Sequence, residues 1–145
     1  MTTAHHLRLI DGMCTRKFPA ERSPSGSEVS GPGYHTASLH VDEPLWGDDE
    51  PLRAQHRAQC LAEHDALLTL LASRWGEPQL MSVWSAQERM MEGEAIEEPW
   101  AELVSACDYL RLWRRGSRWV ALGLFLEEDG PGCELAVVVT VIDPP

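Results

Sequence analysis

The C-terminal third of the chain most restricts what it can fold into. Two runs there, Arg118–Glu127 and Cys133–Ile142, are extended in character and apolar on both sides. Val120, Leu122, Leu124 and Leu126 fall on one face of the first run, and Trp119, Ala121, Gly123 and Phe125 fall on the other. In the second run Leu135, Val137, Val139 and Val141 are backed by Ala136, Val138 and Ile142. A sheet with one wet face alternates apolar and polar residues along each strand. These strands do not, so both faces of their sheet need cover. The expectation is that a long helix covers one face and that short helices and an N-terminal arm cover the other. Any part left bare would form a homodimer or partner surface, because large apolar patches are rare on soluble monomers.

The covering elements can be read from periodicity and stop signals. Asp49 to about Trp75 predicts the long helix: Asp48, Asp49 and Glu50 sit at its positive end, Pro51 is tolerated in its first turn, and Gly76 with Pro78 ends it. Leu61, Leu68, Leu71 and Trp75, with Leu67 beside them, form its apolar stripe. Gln79–Trp84 reads as a strand. Ser85-Ala86-Gln87-Glu88 has the form of a capping box opening a short helix that Gly93 ends. A second short helix follows Pro99 and buries Trp100, Leu103, Val104 and Cys107. From Tyr109 the pattern turns extended, and the connections Arg115-Gly116-Ser117 and Asp129-Gly130-Pro131-Gly132 are turn chemistry. The fold class is therefore α+β: a mostly antiparallel sheet of about 4–6 strands with a C-terminal three-stranded meander, and one long and two short helices packed on it.

Residues 1–35 are expected to be an N-terminal arm and a Ser/Pro/Gly-rich loop, and residues 36–145 a single α+β domain. Leu7, Leu9 and Ile10 suggest a short edge strand or docking arm. Between Arg22 and Gly33 only Val29 is apolar, too little to offset the entropy of ordering, so this stretch reads as a mobile loop. Thr36–Val41 alternates as a strand does.

Charge narrows the partners. The formal net charge is −11, carried by residues beyond position 40, which argues against nucleic-acid phosphates and anionic lipid. No apolar run approaches the ~18 residues of a membrane span, and the N-terminus lacks a secretory leader; the expected location is cytoplasmic. Cys14, Cys60, Cys107 and Cys133 show no paired spacing and are expected as free thiols. Lys17 is the only lysine and asparagine is absent, the bias of GC-rich bacterial genes.

Chemistry-bearing motifs are few. His56, Cys60 and His64 recur every four residues on the long helix, but His56 and His64 are separated by about 12 Å along its axis, so one metal ion could take only two of the three. Cys60 beside His64 also has the form of a nucleophile pair, without a helix N-terminus or oxyanion donors to support it. Dinucleotide, P-loop and nucleophile-elbow motifs are absent, and no cofactor is expected. One basic concentration stands out in the acidic chain: Arg111, Trp113, Arg114, Arg115, Arg118 and Trp119 around one tight turn. Tryptophan and arginine are the side chains that most often anchor interfaces.

These features favour a non-enzymatic cytoplasmic protein–protein interaction module, immunity-, chaperone- or adaptor-like. Its partner-binding residues would be Arg111, Trp113, Arg115, Arg118 and Trp119 in the hairpin and Asp48, Asp49 and Glu50 on the acidic side. The partner would be another protein, plausibly basic, or a second copy. The alternatives are a small metal-dependent or Cys/His enzyme centred on the long helix, and a structural subunit of a larger assembly.

Overall fold

The computed structural model describes residues 3–40, 50–127 and 132–145. In chain order the elements are α1 (Thr3–Thr15), β1 (Ser23–Ser25), β2 (Glu28–Gly31), β3 (Tyr34–His40), α2 (Glu50–Trp75), β4 (Gln79–Met81), α3 (Val83–Met91), α4 (Trp100–Ala106), β5 (Tyr109–Arg115), β6 (Arg118–Leu126) and β7 (Cys133–Thr140). The α+β class holds, and among the described residues the sheet is larger and the helices one more than expected: seven antiparallel strands in the order β1-β2-β3-β7-β6-β5-β4, and four helices.

Both faces of this sheet are covered, as the two-sided apolar strands require. Val120, Leu122, Leu124, Leu135, Val137 and Val139 pack with Ile10 and Met13 of α1 and with Cys60, Leu67 and Leu71 of α2. On the opposite face Leu110, Leu112, Ala121 and Val138 pack with Ala86 of α3 and with Trp100, Leu103 and Val104 of α4. The N-terminal segment therefore lies beside the long helix, not across the sheet from it. It is a helix because His6, Ile10 and Met13 recur at four- and three-residue spacings and are all buried.

The stretch read as a mobile loop is ordered as β1 and β2. Gly26, at φ +63, takes the left-handed turn between them. Pro32-Gly33, with Gly33 at φ +83, turns the chain from β2 into β3. Gly31 lies under the ring of Tyr34, its cross-strand partner, where any side chain would collide. Thr36 Oγ1 also donates to the Val29 carbonyl at 3.2 Å.

The connection from β3 to β4 carries α2 across the sheet. β3 is third in the sheet and β4 is its far edge. Twenty-six helical residues span about 39 Å, more than enough for the four inter-strand spacings, about 19 Å, that separate β3 from β4. Gly76, at φ +89 with its N–H on the Ala72 carbonyl at 2.8 Å, ends the helix where expected.

Beyond it, the strand is shorter than the sequence suggests and α3 starts earlier. Ser82, not Ser85, is the N-cap, its Oγ accepting the Ser85 N–H at 3.4 Å. α4 buries Trp100, Leu103 and Val104 as expected, and the Trp100 Nε1–H donates to the Ile142 carbonyl at 2.9 Å. β5, β6 and β7 form the anticipated meander; part of the expected turn between β6 and β7, residues 129–131, lies outside the described residues, as does Val41. Among the described residues no helix is long and apolar enough to cross a membrane.

Candidate functional site

Of the long-helix residues singled out for metal or nucleophilic chemistry, Cys60 and His64 are buried. Cys60 is joined to Cys133 by a disulfide with a Cα–Cα distance of 6.3 Å, which corrects the expectation of four free thiols. Their separation of 73 residues hid the pairing: only the seating of α2 over the start of β7 brings them together. Arg57, one turn earlier on α2, reinforces this clamp by donating from Nη1 to the carbonyls of Glu127 (3.2 Å) and Gly132 (3.3 Å). His64 is buried in the middle of the α2 stripe, with Nδ1 3.1 Å from Asp65 Oδ1, and His56 is partly exposed. Among the described residues no group of three His, Cys, Asp or Glu side chains is placed to hold a metal ion. The sulfur on which both enzymatic readings of this helix depend is bonded to Cys133.

The two remaining thiols are Cys14 and Cys107. Cys107 lines a small cavity of about 120 Å³ beneath α4, beside Glu134 and Val138. Burial, helped by Glu134 and Asp108, pushes its pKa up to about 12, so it stays protonated and a poor nucleophile. Burial likewise raises Cys14, with Asp11 adding to the effect.

A serine–histidine pair that the sequence did not announce sits on β2 and β3. Ser30 and His35 are direct cross-strand partners, with Oγ and Nδ1 2.6 Å apart. His35 Nε2 lies 3.2 Å from the Arg16 carbonyl. A carbonyl only accepts, so Nε2 carries the proton and Nδ1 accepts from the Ser30 hydroxyl. That polarity is the one a general base needs toward serine. However, none of the cavities described borders this pair, while His35 is buried against Phe18 at 4.7 Å between ring centroids. Its evident work is structural: it ties the chain after α1 to the outer hairpin. Burial holds its pKa below the usual histidine value.

The β5–β6 hairpin is formed as expected, with Gly116 at φ +60 in its turn. Its aromatic and cationic groups are largely engaged inside the fold. Trp113 is buried, donates from Nε1 to the Gly76 carbonyl at 2.9 Å and meets Trp75 edge-on. Arg118 donates from Nη1 to the Met13 carbonyl at 2.7 Å and covers the Phe18 ring, so a cation meets the C-terminal turn of α1. Trp119 donates from Nε1 to Asp143 Oδ1 at 3.1 Å, and Arg114 lies over its ring. Arg115 is exposed, with its guanidinium 4.9 Å from the centre of the Trp75 ring. Asp48 and Asp49 lie outside the described residues, and Glu50 is the first residue of α2.

Among the described residues the most exposed large apolar side chains lie elsewhere, on β4 and on α3, which follows it; Leu70 and Val141 are exposed to a lesser degree. Leu80 is 73% exposed, Trp84 68% and Met91 88%. Leu80 belongs to the edge strand itself, while Trp84 and Met91, seven residues apart, share one face of α3. On the α2 side of this edge a groove of about 500 Å³ runs between Leu68, Thr69 and Ala72 of α2 and Leu80 and Arg111 of the sheet. Leu80 and Arg111 are cross-strand partners, so both point into it. The Nε of Arg111 is buried and meets no hydrogen-bond acceptor among the described residues. Sequence reading missed these side chains because Leu80, Trp84 and Met91 look like ordinary core residues until strand order places β4 last in the sheet among the described residues.

Comparison with protein-family models, with curated proteins and with solved structures finds no match to the chain.

Proposed function

We propose that the protein is a non-enzymatic protein-binding module whose docking surface is the open β4 edge together with α3. The observation carrying this reading is the exposure of Leu80, Trp84 and Met91 on two successive elements, an edge strand and the helix that follows it. An edge strand offers unpaired backbone groups, and folded proteins usually blunt such edges with charge, proline or a covering element. β4 is short and preceded by Glu77 and Pro78, yet Leu80 on it and Trp84 just after it are largely exposed. The hairpin tryptophans favoured from the sequence support the fold, which moves the proposed surface along β5 to its outer neighbour.

The acidic character of the chain enters the same reading. Glu88, Glu92, Glu97, Glu98 and Glu102, on and around α3 and α4, are exposed. Carboxylates there would speed encounter with a partner presenting a basic body. An enzyme centred on the long helix has little support, because Cys60 is bonded. A structural subunit of a larger assembly would use the same edge with a second copy. A cytoplasmic location predicts that Cys60 and Cys133 are thiols in the cell, and an oxidising compartment predicts the disulfide. Rapid alkylation of cell extracts followed by mass mapping separates the two.

The test is in-cell crosslinking of the tagged protein in its source organism, with mapping of the crosslinked residues. The expected result is one partner joined to β4 or α3 and lost from the Leu80→Ser, Trp84→Ser, Met91→Ser triple variant. Capture of the same partner by a folded triple variant would remove the basis of the proposal.

A further inference from the structure

Beneath α4 the sheet leaves a space that packing does not fill. Ser38, Ala136 and Gly123 are aligned across β3, β7 and β6 as successive cross-strand partners, so this row carries small side chains or none. At Gly123 the fold is tight, and Cys107 and Leu103 leave no room for a Cβ. Over Ala136 and Ser38 a cavity of about 120 Å³ remains. A space of that size takes a ligand of about five or six non-hydrogen atoms.

Its lining is divided. Leu103, Cys107 and Val138 are buried and form an apolar inner wall. The Cys107 thiol meets no hydrogen-bond partner among the described residues. It is neutral, its pKa pushed up to about 12 by burial and then by Glu134 and Asp108. Glu102 and Glu134, one on α4 and one on β7, are exposed and stand at the mouth. Carboxylates only accept, and the Thr36 hydroxyl beside them has its proton on the Val29 carbonyl at 3.2 Å. Among the described residues no lysine, arginine or histidine lines the cavity, and neither carboxylate has an ion-pair partner.

We infer that this cavity is a binding site for a small organic cation, a primary ammonium on a short unbranched hydrocarbon stem. The stem would lie against Leu103, Cys107 and Val138, and the ammonium at the mouth would donate to Glu102, Glu134 and Thr36. A neutral ligand of the same shape would offer the carboxylates at most one uncharged donor. An anion would be repelled by them, and a bare metal ion would gain nothing from the apolar wall. The formal charge of −11 raises the local concentration of cations at the surface. The site lies apart from the β4 edge, from which β6 and β5 separate it, and does not depend on the protein-binding reading.

The probe is n-butylammonium chloride, titrated at constant ionic strength into the isotope-labelled full chain and followed by amide chemical shifts. Saturable shifts are expected at Ser38, Leu103, Cys107 and Ala136. Butanol, of the same length without the charge, should bind about ten-fold more weakly. Glu102→Gln and Glu134→Gln should each weaken the amine by about two- to five-fold, the scale of an exposed ion pair, and leave the alcohol unchanged. Glu88→Gln, which removes a carboxylate outside the cavity, should change neither. Ala136→Val should exclude both ligands by filling the space. Thermal melts establish that each variant is folded, and the two exposed glutamates carry the test if Ala136→Val does not fold.

Absence of saturation, shifts spread over the acidic surface instead of the cavity, equal affinity for the alcohol, or indifference to Glu102→Gln and Glu134→Gln would overturn the proposal. None of these results bears on a partner captured through β4 and α3, so the two readings fail separately.

Discussion

Two residues show how closely this fold is fitted. Gly123 lies at the middle of β6 where α4 comes down on the sheet. A Cβ there would sit 2.7 Å from Cys107 Sγ, 3.1 Å from Leu110 Cδ2 and 3.2 Å from Leu103 Cδ1. Gly123→Ala is therefore expected to destabilise by about 1–3 kcal/mol, the usual penalty for overpacking, although alanine suits a strand better than glycine does. Urea unfolding measures it. His35 gives a pH signature. Its folded pKa is lowered from 6.5, first by burial, so the unfolded chain binds the proton more readily. The stability it contributes is complete above pH 6.5 and is lost as pH falls from there through the depressed folded value. Melting profiles across this range should show the decline, and His35→Gln, which cannot charge, should flatten it.

At the scale of elements, the central assertion is that α2 is fastened to β7 at one end by Cys60–Cys133 and Arg57. Thiol titration of the unfolded protein should find two reactive cysteines without reductant and four with it. Cys60→Ala should cost about 2–4 kcal/mol, the ordinary contribution of a native disulfide. A melt in excess reductant should approach that of the variant.

The same elements show what the residues disclose on their own. The meander, α2 with its stop at Gly76, and the buried face of α4 were all legible, because each rests on a local pattern within one element. α1 was not, because its buried stripe uses a histidine, His6, where an apolar residue is looked for, and Gly12 interrupts it. β1 and β2 were not, because their order comes from the turn at Gly26, the Ser30–His35 bond and pairing with β3 rather than from apolar burial. The disulfide and the β4 edge depend on which strands become neighbours, and no spacing along the chain records that. For the candidate site, the pattern marked where arginine and tryptophan concentrate but not that Trp113, Arg118 and Trp119 are engaged in the fold, because their acceptors lie on segments far away along the chain.

Considered as a whole molecule, the protein uses its described tryptophans in different ways. Trp100 and Trp113 hold α4 and the end of α2 to the sheet through indole hydrogen bonds, whereas Trp84 is largely exposed. Trp84→Ser together with Leu80→Ser should leave stability within about 0.5 kcal/mol of the parent, as for surface substitutions generally. Trp100→Ser should cost about 3–5 kcal/mol or prevent folding. Denaturant titrations of the two variants provide the comparison.

Strand order also has a consequence in time. β7 sits at the centre of the sheet, between β3 and β6, and Tyr34 faces Thr140. β3 therefore cannot find its inner neighbour until nearly the whole described chain has left the ribosome. During synthesis β3 waits with an unpaired edge, and long-range pairing of this kind is slow and prone to aggregation. A growing chain of this design gains from anything that shields β3 until its last strand arrives.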